Sequence, residues 1–371
     1  MFKSVFQLFK IARKLAVSGA VDTIDEVYKI PFAIKIFFNL FSVGSNKIQL
    51  PIHKKPGEKL CDALEGMGTT FIKLGQFLAT RPDIIGQDLA NDLVKLQDKL
   101  PAFNINEAKK IIQKELGEEQ FKKIIDLTEP IAAASIAQVH IAKIEGKEIA
   151  IKILRPDIEK LFNEELDALM LFAYIVENTV SKAKRLKLVE VVYLLKEITN
   201  IEMDLRFEAA AANELYENTK NDSGFKVPKI YWNYTSKRIL TLEKVNGVSI
   251  REQEIIEKSG VNLKYLAEQL IQHFLKQAVR DGFFHGDMHQ GNLFVDNSGN
   301  IIPVDFGIMG RLDKNNRKYL AEILYGFIQR DYTKVAEVHF QAGLVPSDAS
   351  KEEFAQALRS VGEPIFGQTI K

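Results

Sequence analysis

Two short acidic motifs separated by one hairpin constrain this chain more than anything else in it. His285-Gly286-Asp287-Met288-His289-Gln290-Gly291-Asn292 is followed by the apolar runs Leu293 to Val295 and Ile301 to Val304, and then by Asp305-Phe306-Gly307. Asp296-Asn297-Ser298-Gly299-Asn300 joins the two runs, and such residues favour a tight reversal of two short strands. That reversal carries Asp305 back toward Asn292 and Asp287. Phosphoryl transfer needs a carboxylate to accept the proton of an attacking hydroxyl, and oxygen ligands for magnesium between the phosphates. Asp287 is therefore read as the catalytic base, with Asn292 and Asp305 as metal ligands. His285 is expected to hold the loop by hydrogen bonds, and a metal-binding trio of His285, Asp287 and His289 is the lesser alternative.

A second element lies upstream. Ile149-Ala150-Ile151-Lys152 reads as a buried strand ending in a cation, the pattern of a strand whose lysine grips nucleotide phosphates. One strand earlier, Ile131, Ala132, Ala133, Ala134, Ser135, Ile136, Ala137, Gln138 and Val139 occupy the place of a phosphate-covering loop. This loop contains no glycine. Its backbone amides can still meet phosphate oxygens, but every Cβ keeps the chain away from positive φ.

The rest of the chain fits a globular protein with two or three lobes. It has 371 residues, 46% of them hydrophobic and 27% charged, enough to bury a sizeable core. Fifty basic and 49 acidic side chains leave a net charge of +1, so no global field recruits nucleic acid. One cysteine, Cys61, fits a reducing compartment and excludes a disulfide-stapled fold. The longest apolar stretch, Pro31 to Gly44, is interrupted by Lys35 and falls short of the ~18 residues a spanning helix needs. Near the start, Phe2, Val5, Phe6, Phe9 and Ala16 share a helical face ringed by Lys3, Lys10, Arg13 and Lys14. This pattern is expected to pack on the body of the protein, with a membrane surface as the alternative.

The periodicity predicts an opening helix, a polar linker over Pro51 to Glu58, and helices from Lys59 to about Leu100 broken at Arg81-Pro82. A helix over Ile105 to Ile125 precedes strands Ala137 to Ile144 and Glu148 to Leu154, which turn around Glu145-Gly146-Lys147. Helices follow over Ile158 to Ala183 and Val189 to Thr219, separated by a basic run read as solvated surface. Pro228 to Trp232 and Arg238 to Val245 read as strands. Leu263 to Asp281 reads as a helix stopped at Gly282, and helices close the chain. No internal repeat is visible.

An alanine-rich loop in place of a glycine-rich one resembles the UbiB family of atypical, protein-kinase-like kinases. Two more motifs agree: Lys73-Leu74-Gly75-Gln76 is similar to the family's Lys-x-Gly-Gln motif, and Glu202-Met203-Asp204 to its Glu-x-Asp motif. The resemblance runs from about Asp62 to the C-terminus. It implies an α+β, bilobal protein-kinase-like fold with a small β-sheet N-lobe, a helical C-lobe and a helical N-terminal extension. The expected division is residues 1–104 for the extension, 105–246 for the N-lobe with a helical insertion, and 247–371 for a C-lobe that reads as incomplete at its C-terminus. By resemblance, Glu208 pairs with Lys152 at the ATP site, while Lys73, Gln76, Glu202 and Asp204 are regulatory, with Glu202 engaging Lys73. The long stretch between Lys152 and Glu208 and the missing Ala-Pro-Glu element depart from ordinary kinases and put a peptide-docking groove in doubt.

The implied function is an ATP- and Mg2+-dependent kinase or ATPase supporting ubiquinone biosynthesis, with ATP or ADP as nucleotide. The implied partners are lipid or polyprenyl quinone intermediates, a membrane surface and other ubiquinone-biosynthesis enzymes. The implied location is the cytoplasmic side of the inner membrane, peripheral or attached. Two alternatives stand beside it: a nucleotide-binding scaffold for a lipid-synthesis complex, and a small-molecule kinase of the aminoglycoside or choline type.

Overall fold

The computed structural model describes residues 2–28, 35–36, 38–40, 54–96, 101–179 and 181–366. Much of the apolar stretch Pro31 to Gly44, the start of the expected linker at Pro51 to His53, and the end of the helical run at Leu100 lie outside the described residues. The chain divides into two compact units, Met1–Phe207 with Tyr231–Leu242, and Glu208–Ile230 with Glu243–Lys371.

The first unit opens with helices α1 (Phe2–Ser18) and α2 (Ala20–Tyr28). Ile11, Ala12 and Ala16 of α1 are buried, whereas Phe6, Phe9, Lys10 and Arg13 are exposed. The helix therefore packs through one stripe and keeps an aromatic and cationic stripe in water. Lys14 fixes it in place, because its Nζ donates to the Met67 carbonyl and to Glu165 Oε1, each at 3.1 Å.

Four helices follow: α3 (Pro56–Met67), α4 (Thr69–Ala79), α5 (Pro82–Ile85) and α6 (Gln87–Leu93). The break at Arg81-Pro82 is present. Further breaks fall at Gly68 and Gly86, beyond what the sequence predicts, and the expected linker yields to helix at Pro56, where a proline suits the first turn because no donor is needed there. Cys61 of α3 is buried, with Sγ 3.4 Å from the Asp92 carbonyl, and burial pushes its thiol up to about 11.

Helix α7 (Ile105–Lys123) starts at Asn104, whose side chain accepts the Asn106 N–H, and it bends at Gly117. A sheet then forms from β1 (Ile124–Ile125), β2 (Ala132–Ala133), β3 (Ala137–Ile144), β4 (Lys147–Leu154) and β5 (Ile239–Glu243) in the order β1-β3-β4-β5, with β2 also on β3. Ile144 faces Lys147 across the β3–β4 turn, so only Glu145 and Gly146 are left to make it. Both take positive φ, 51° and 77°, the twist that a two-residue hairpin requires and that glycine accepts without cost.

Period two puts Ile149, Ile151 and Ile153 on one face, fully buried against Ala108, Ile111 and Ile112 of α7. Lys152 consequently stands on the opposite face, beside Val139 of β3. Helices α8 (Ile158–Thr179), α9 (Leu188–Glu202) and α10 (Leu205–Thr219) complete this part, and the division between units falls inside α10. The continuous helix expected over Val189 to Thr219 is broken at Met203-Asp204, because the Asp204 side chain accepts the Arg206 N–H and starts a new helix. Pro228 to Trp232, expected as a strand, contributes no named strand. It makes only a short bridge, with Tyr231 N–H donating to the Thr241 carbonyl at 2.9 Å and the Lys229 carbonyl accepting the Glu243 N–H at 2.8 Å, before a 3-10 turn at Trp232–Tyr234 ends it.

In the second unit, α11 (Gln253–Lys258) precedes α12 (Leu263–Leu275), which passes into a π turn, Lys276–Asp281. Gly282 closes it in the left-handed conformation at φ 68°, as the sequence requires of a helix stop. Strands β6 (Val248–Ser249), β8 (Leu293–Val295) and β9 (Ile301–Pro303) form one antiparallel sheet. Strands β7 (Phe283–His285) and β10 (Met309–Arg311) form another. Helices α13 (Lys314–Ile328), α14 (Tyr332–Gln341) and α15 (Lys351–Gly362) follow. Among the described residues, no helix is long and apolar enough to cross a membrane.

Candidate active site

The acidic loop of the second unit hangs between β7 and β8, and its return strand β9 delivers Asp305. Val295 pairs with Ile301, and the turn between them is held by Asp296, whose carboxylate takes the N–H groups of Ser298 and Asn300 and the Asn300 amide. Burial alone would raise the Asp296 pKa, but hydrogen bonds from Lys226 and Asn300 outweigh it and hold the carboxyl down at about 2. The hairpin then fixes the two motifs to each other, because Val304 N–H donates to the Asn292 carbonyl at 3.0 Å.

His285 ties the ends together. Its Nδ1 accepts the Asp287 N–H at 3.1 Å, and its Nε2 donates to the Asp305 carbonyl. These two bonds admit only the neutral ring carrying its proton on Nε2. Burial lowers the pKa of His285, in keeping with that neutral form. The ring is buried and stands 6.0 Å from Phe306, and the backbone N–H of His285 donates to Gln277 Oε1 of the π turn at 3.3 Å. Both nitrogens being in use, His285 is a loop-holder and not a metal ligand. His289 lies with Nε2 3.7 Å from Asp287 Oδ2 and receives the Gly291 N–H on Nδ1. Among the described residues, no three His, Cys, Asp or Glu side chains gather in a metal-binding cluster.

Asn292 Nδ2 donates to both Asp287 Oδ2, at 3.1 Å, and the Asp287 carbonyl, at 3.2 Å. The amide nitrogen is thereby committed to Asp287, which leaves its carbonyl oxygen as the atom to offer a cation. Asp305 Oδ1 accepts the Gly307 N–H at 2.9 Å. The Asp305 carboxylate and the Asn292 amide oxygen are hard donors that suit Mg2+, so the residues present fit the expected metal. Glu208 is buried, and its Oε1 lies 3.5 Å from the Phe306 nitrogen.

In the first unit, Lys152 lies across from Val139 on the sheet face opposite the isoleucine core. The alanine loop folds as a hairpin with β2 on β3, Ala132 opposite Val139 and Ala133 opposite Gln138. Ile131 and Ala132 are exposed, Ala133, Ala134 and Val139 half-buried, and Ser135, Ile136, Ala137 and Gln138 buried. None of the nine has positive φ, as their Cβ atoms dictate. Gln138 faces inward: its Oε1 accepts the Phe103 N–H at 2.9 Å, and its Nε2 lies 3.2 Å from the Phe103 carbonyl and 2.8 Å from His140 Nε2. Its side chain is therefore committed within the protein.

Lys73 and Glu202 meet at 3.0 Å in a partly buried ion pair, the contact the resemblance implied. Gln76, on the same helix as Lys73, is half-buried. Gly75 lies where a Cβ would come within 2.3 Å of Leu96 and 2.8 Å of Leu64, so a side-chain-free position lets α4 approach its neighbours. Asp204 is committed to Arg206, whose Nε and Nη2 approach it at 2.8 and 2.6 Å, and these bonds hold its carboxyl below the usual range. Lys152 and Glu208 belong to different units.

Sequence reasoning missed Thr69 and Arg155. Arg155 forks onto the Ala134 carbonyl through Nε (3.0 Å) and Nη2 (2.8 Å), and Thr69 Oγ1 reaches the Ser135 carbonyl at 3.4 Å. A guanidinium immediately after the lysine strand was the one available signal for the former.

Among known families, the ABC1 atypical kinase-like domain matches residues 95–339. The chain belongs to the ABC1 atypical kinase-like family. It is 40% identical over 363 residues to the probable protein kinase UbiB of Marinobacter nauticus, covering 95% of this chain and 65% of that protein. It is 39% identical over 317 residues to the probable protein kinase UbiB of Azotobacter vinelandii, covering 83% of this chain and 59% of that one. The chain thus spans 65% and 59% of the lengths of these two ABC1 relatives. The Mycobacterium tuberculosis protein Rv3197, solved in complex with erythromycin, shares the fold at a TM-score of 0.58 and 24% identity, over 79% of this chain and 74% of that one. The α+β, protein-kinase-like fold expected from the sequence is therefore the fold of this ABC1 chain.

Proposed function

We propose that the chain is an ATP- and Mg2+-dependent atypical kinase or ATPase of the UbiB type that supports ubiquinone biosynthesis. The observation that carries this reading is the interlocked acidic loop, in which one neutral histidine and one hairpin hold Asp287, Asn292 and Asp305 as a set. Asp287 receives the proton of the attacking hydroxyl or water. Asn292, through its carbonyl oxygen, and Asp305 hold Mg2+, which when bound offsets the negative charge of the phosphates. Lys152, set by Glu208, grips the phosphates beneath the alanine loop. The Lys73–Glu202 pair regulates access from the N-terminal extension.

The pathway rests on the similarity to UbiB proteins. A peripheral position on the cytoplasmic face of the inner membrane and contact with polyprenyl quinone intermediates and biosynthetic partners belong to the same reading. The exposed Phe6, Phe9, Lys10 and Arg13 of α1 supply a stripe suited to an anionic lipid surface.

Asp305→Asn is expected to abolish Mg2+-dependent nucleotide binding or turnover, read by an ATPase assay with magnesium titration. Full ATPase activity in that variant overturns the mechanism.

A further inference from the structure

The two ends of β3 are closed by different means. At the far end, Glu145 and Gly146 both adopt positive φ and the turn satisfies itself. At the near end, Ala134 N–H donates to the Ala137 carbonyl at 2.8 Å around Ser135-Ile136, and neither residue has positive φ. A two-residue turn without positive φ has the wrong twist for the strands it joins and cannot close its second bond well.

Three consecutive carbonyls at this turn go to donors from elsewhere in the same unit. The Ala134 carbonyl receives the Nε and Nη2 fork of Arg155 at 3.0 and 2.8 Å. The Ser135 carbonyl receives Thr69 Oγ1 at 3.4 Å, and the Ile136 carbonyl receives the Arg155 N–H at 2.9 Å. Arg155 is itself braced, since its Nη1 donates to the Pro101 carbonyl at 2.9 Å and its own carbonyl accepts Arg238 Nη2 at 2.6 Å. In a trans peptide the N–H points opposite to the C=O, so fixing these three carbonyls also fixes the amides of Ser135, Ile136 and Ala137 on the other side.

We propose that Arg155 and Thr69 are positioning residues that hold the alanine loop with its carbonyls turned to the protein and its amides turned to the phosphates of a nucleotide. External donors thereby do for a glycine-free loop what conformational freedom does for a glycine loop. Thr69 begins α4, so one hydrogen bond ties the nucleotide loop to the helix that carries Lys73 and Gln76. This rests on the nucleotide reading above and adds to it the residues that shape the loop.

The test uses Arg155→Met, Arg155→Lys, Thr69→Val and Thr69→Ser in the whole chain, with two measurements. Amide hydrogen exchange without nucleotide is expected to speed up at residues 135–137 in Arg155→Met and Thr69→Val, and to stay as in the wild type in Thr69→Ser. Affinity for ATP is expected to fall about tenfold in Arg155→Met and about threefold in Thr69→Val, at roughly one or half a net hydrogen bond's worth each, while affinity for adenosine is unchanged. Arg155→Lys is expected to recover little, because an ammonium cannot fork onto one carbonyl while reaching a second. Thr69→Val keeps the test open if Arg155→Met fails to fold. Unchanged exchange in Thr69→Val, or equal losses for ATP and adenosine, overturns the proposal. Unchanged ATP affinity in the variants, with the wild type binding normally, overturns it and leaves the nucleotide reading standing. A wild-type chain that binds neither ATP nor ADP overturns both.

Discussion

The acidic loop and the alanine loop serve one proposed reaction but are built on opposite plans. The acidic loop holds itself: His285 reaches Asp287 two residues on and Asp305 twenty residues on, and Asn292 reaches back five residues to Asp287. The alanine loop is held by others, with partners at Arg155 and Thr69, 21 and 66 residues away from the carbonyls they take. A self-held loop can be recognised from a short motif and moved between sequences as a unit. A loop held from outside depends on distant positions, and its own residues can drift to alanine provided those donors stay.

The contrast breaks most severely at His285. His285→Ala removes two of the three internal ties of the acidic loop, and turnover is expected to fall about 10- to 100-fold as Asp287 and Asp305 lose their mutual registry. Steady-state kinetics check this, and turnover like the wild type would show that the loop does not depend on its histidine. A smaller effect is expected at the hairpin behind it. Asp296→Asn removes the charge that receives Lys226, along with one set of bonds to Asn300, and should cost about 1 kcal/mol in denaturant unfolding, with the loss vanishing below about pH 2 as the wild-type carboxyl protonates.

The smallest effect sharpens the other side of the comparison. His140, buried beside Gln138, donates from Nδ1 to the Thr128 carbonyl at 2.8 Å and accepts from Gln138 on Nε2. Burial lowers its pKa from the ordinary 6.5, so the unfolded chain takes up a proton before the folded chain does. Its contribution to stability is complete above about pH 6.5 and is lost as pH falls from there toward the folded value. Stability measured against pH is expected to decline less steeply over that window in His140→Gln, and an identical slope would remove His140 from the account.

Legibility in the sequence followed the same division. The acidic hairpin, the Glu145-Gly146 turn and the Gly282 stop were all readable, because each is decided by residues within a few positions of one another. The Lys73–Glu202 contact was reached only through family resemblance, since no local rule links residues so far apart. What escaped was decided by competition. Asp204 could have stayed helical but its side chain bonds better to a new helix start, and Pro228 to Trp232 had strand composition but a proline with no N–H and a following 3-10 turn. The inward turn of Gln138 is set by Phe103 and His140, and nothing in its own neighbourhood announces it.

Cys61 is the single cysteine of the sequence, and it is buried with its thiol pushed up to about 11, so at neutral pH it offers almost no thiolate to an alkylating reagent. The native chain is thus a quiet background for thiol labelling. A cysteine introduced at an exposed position in each unit would accept a fluorophore or spin label selectively, and the separation of the two labels with and without nucleotide could be read directly as a distance.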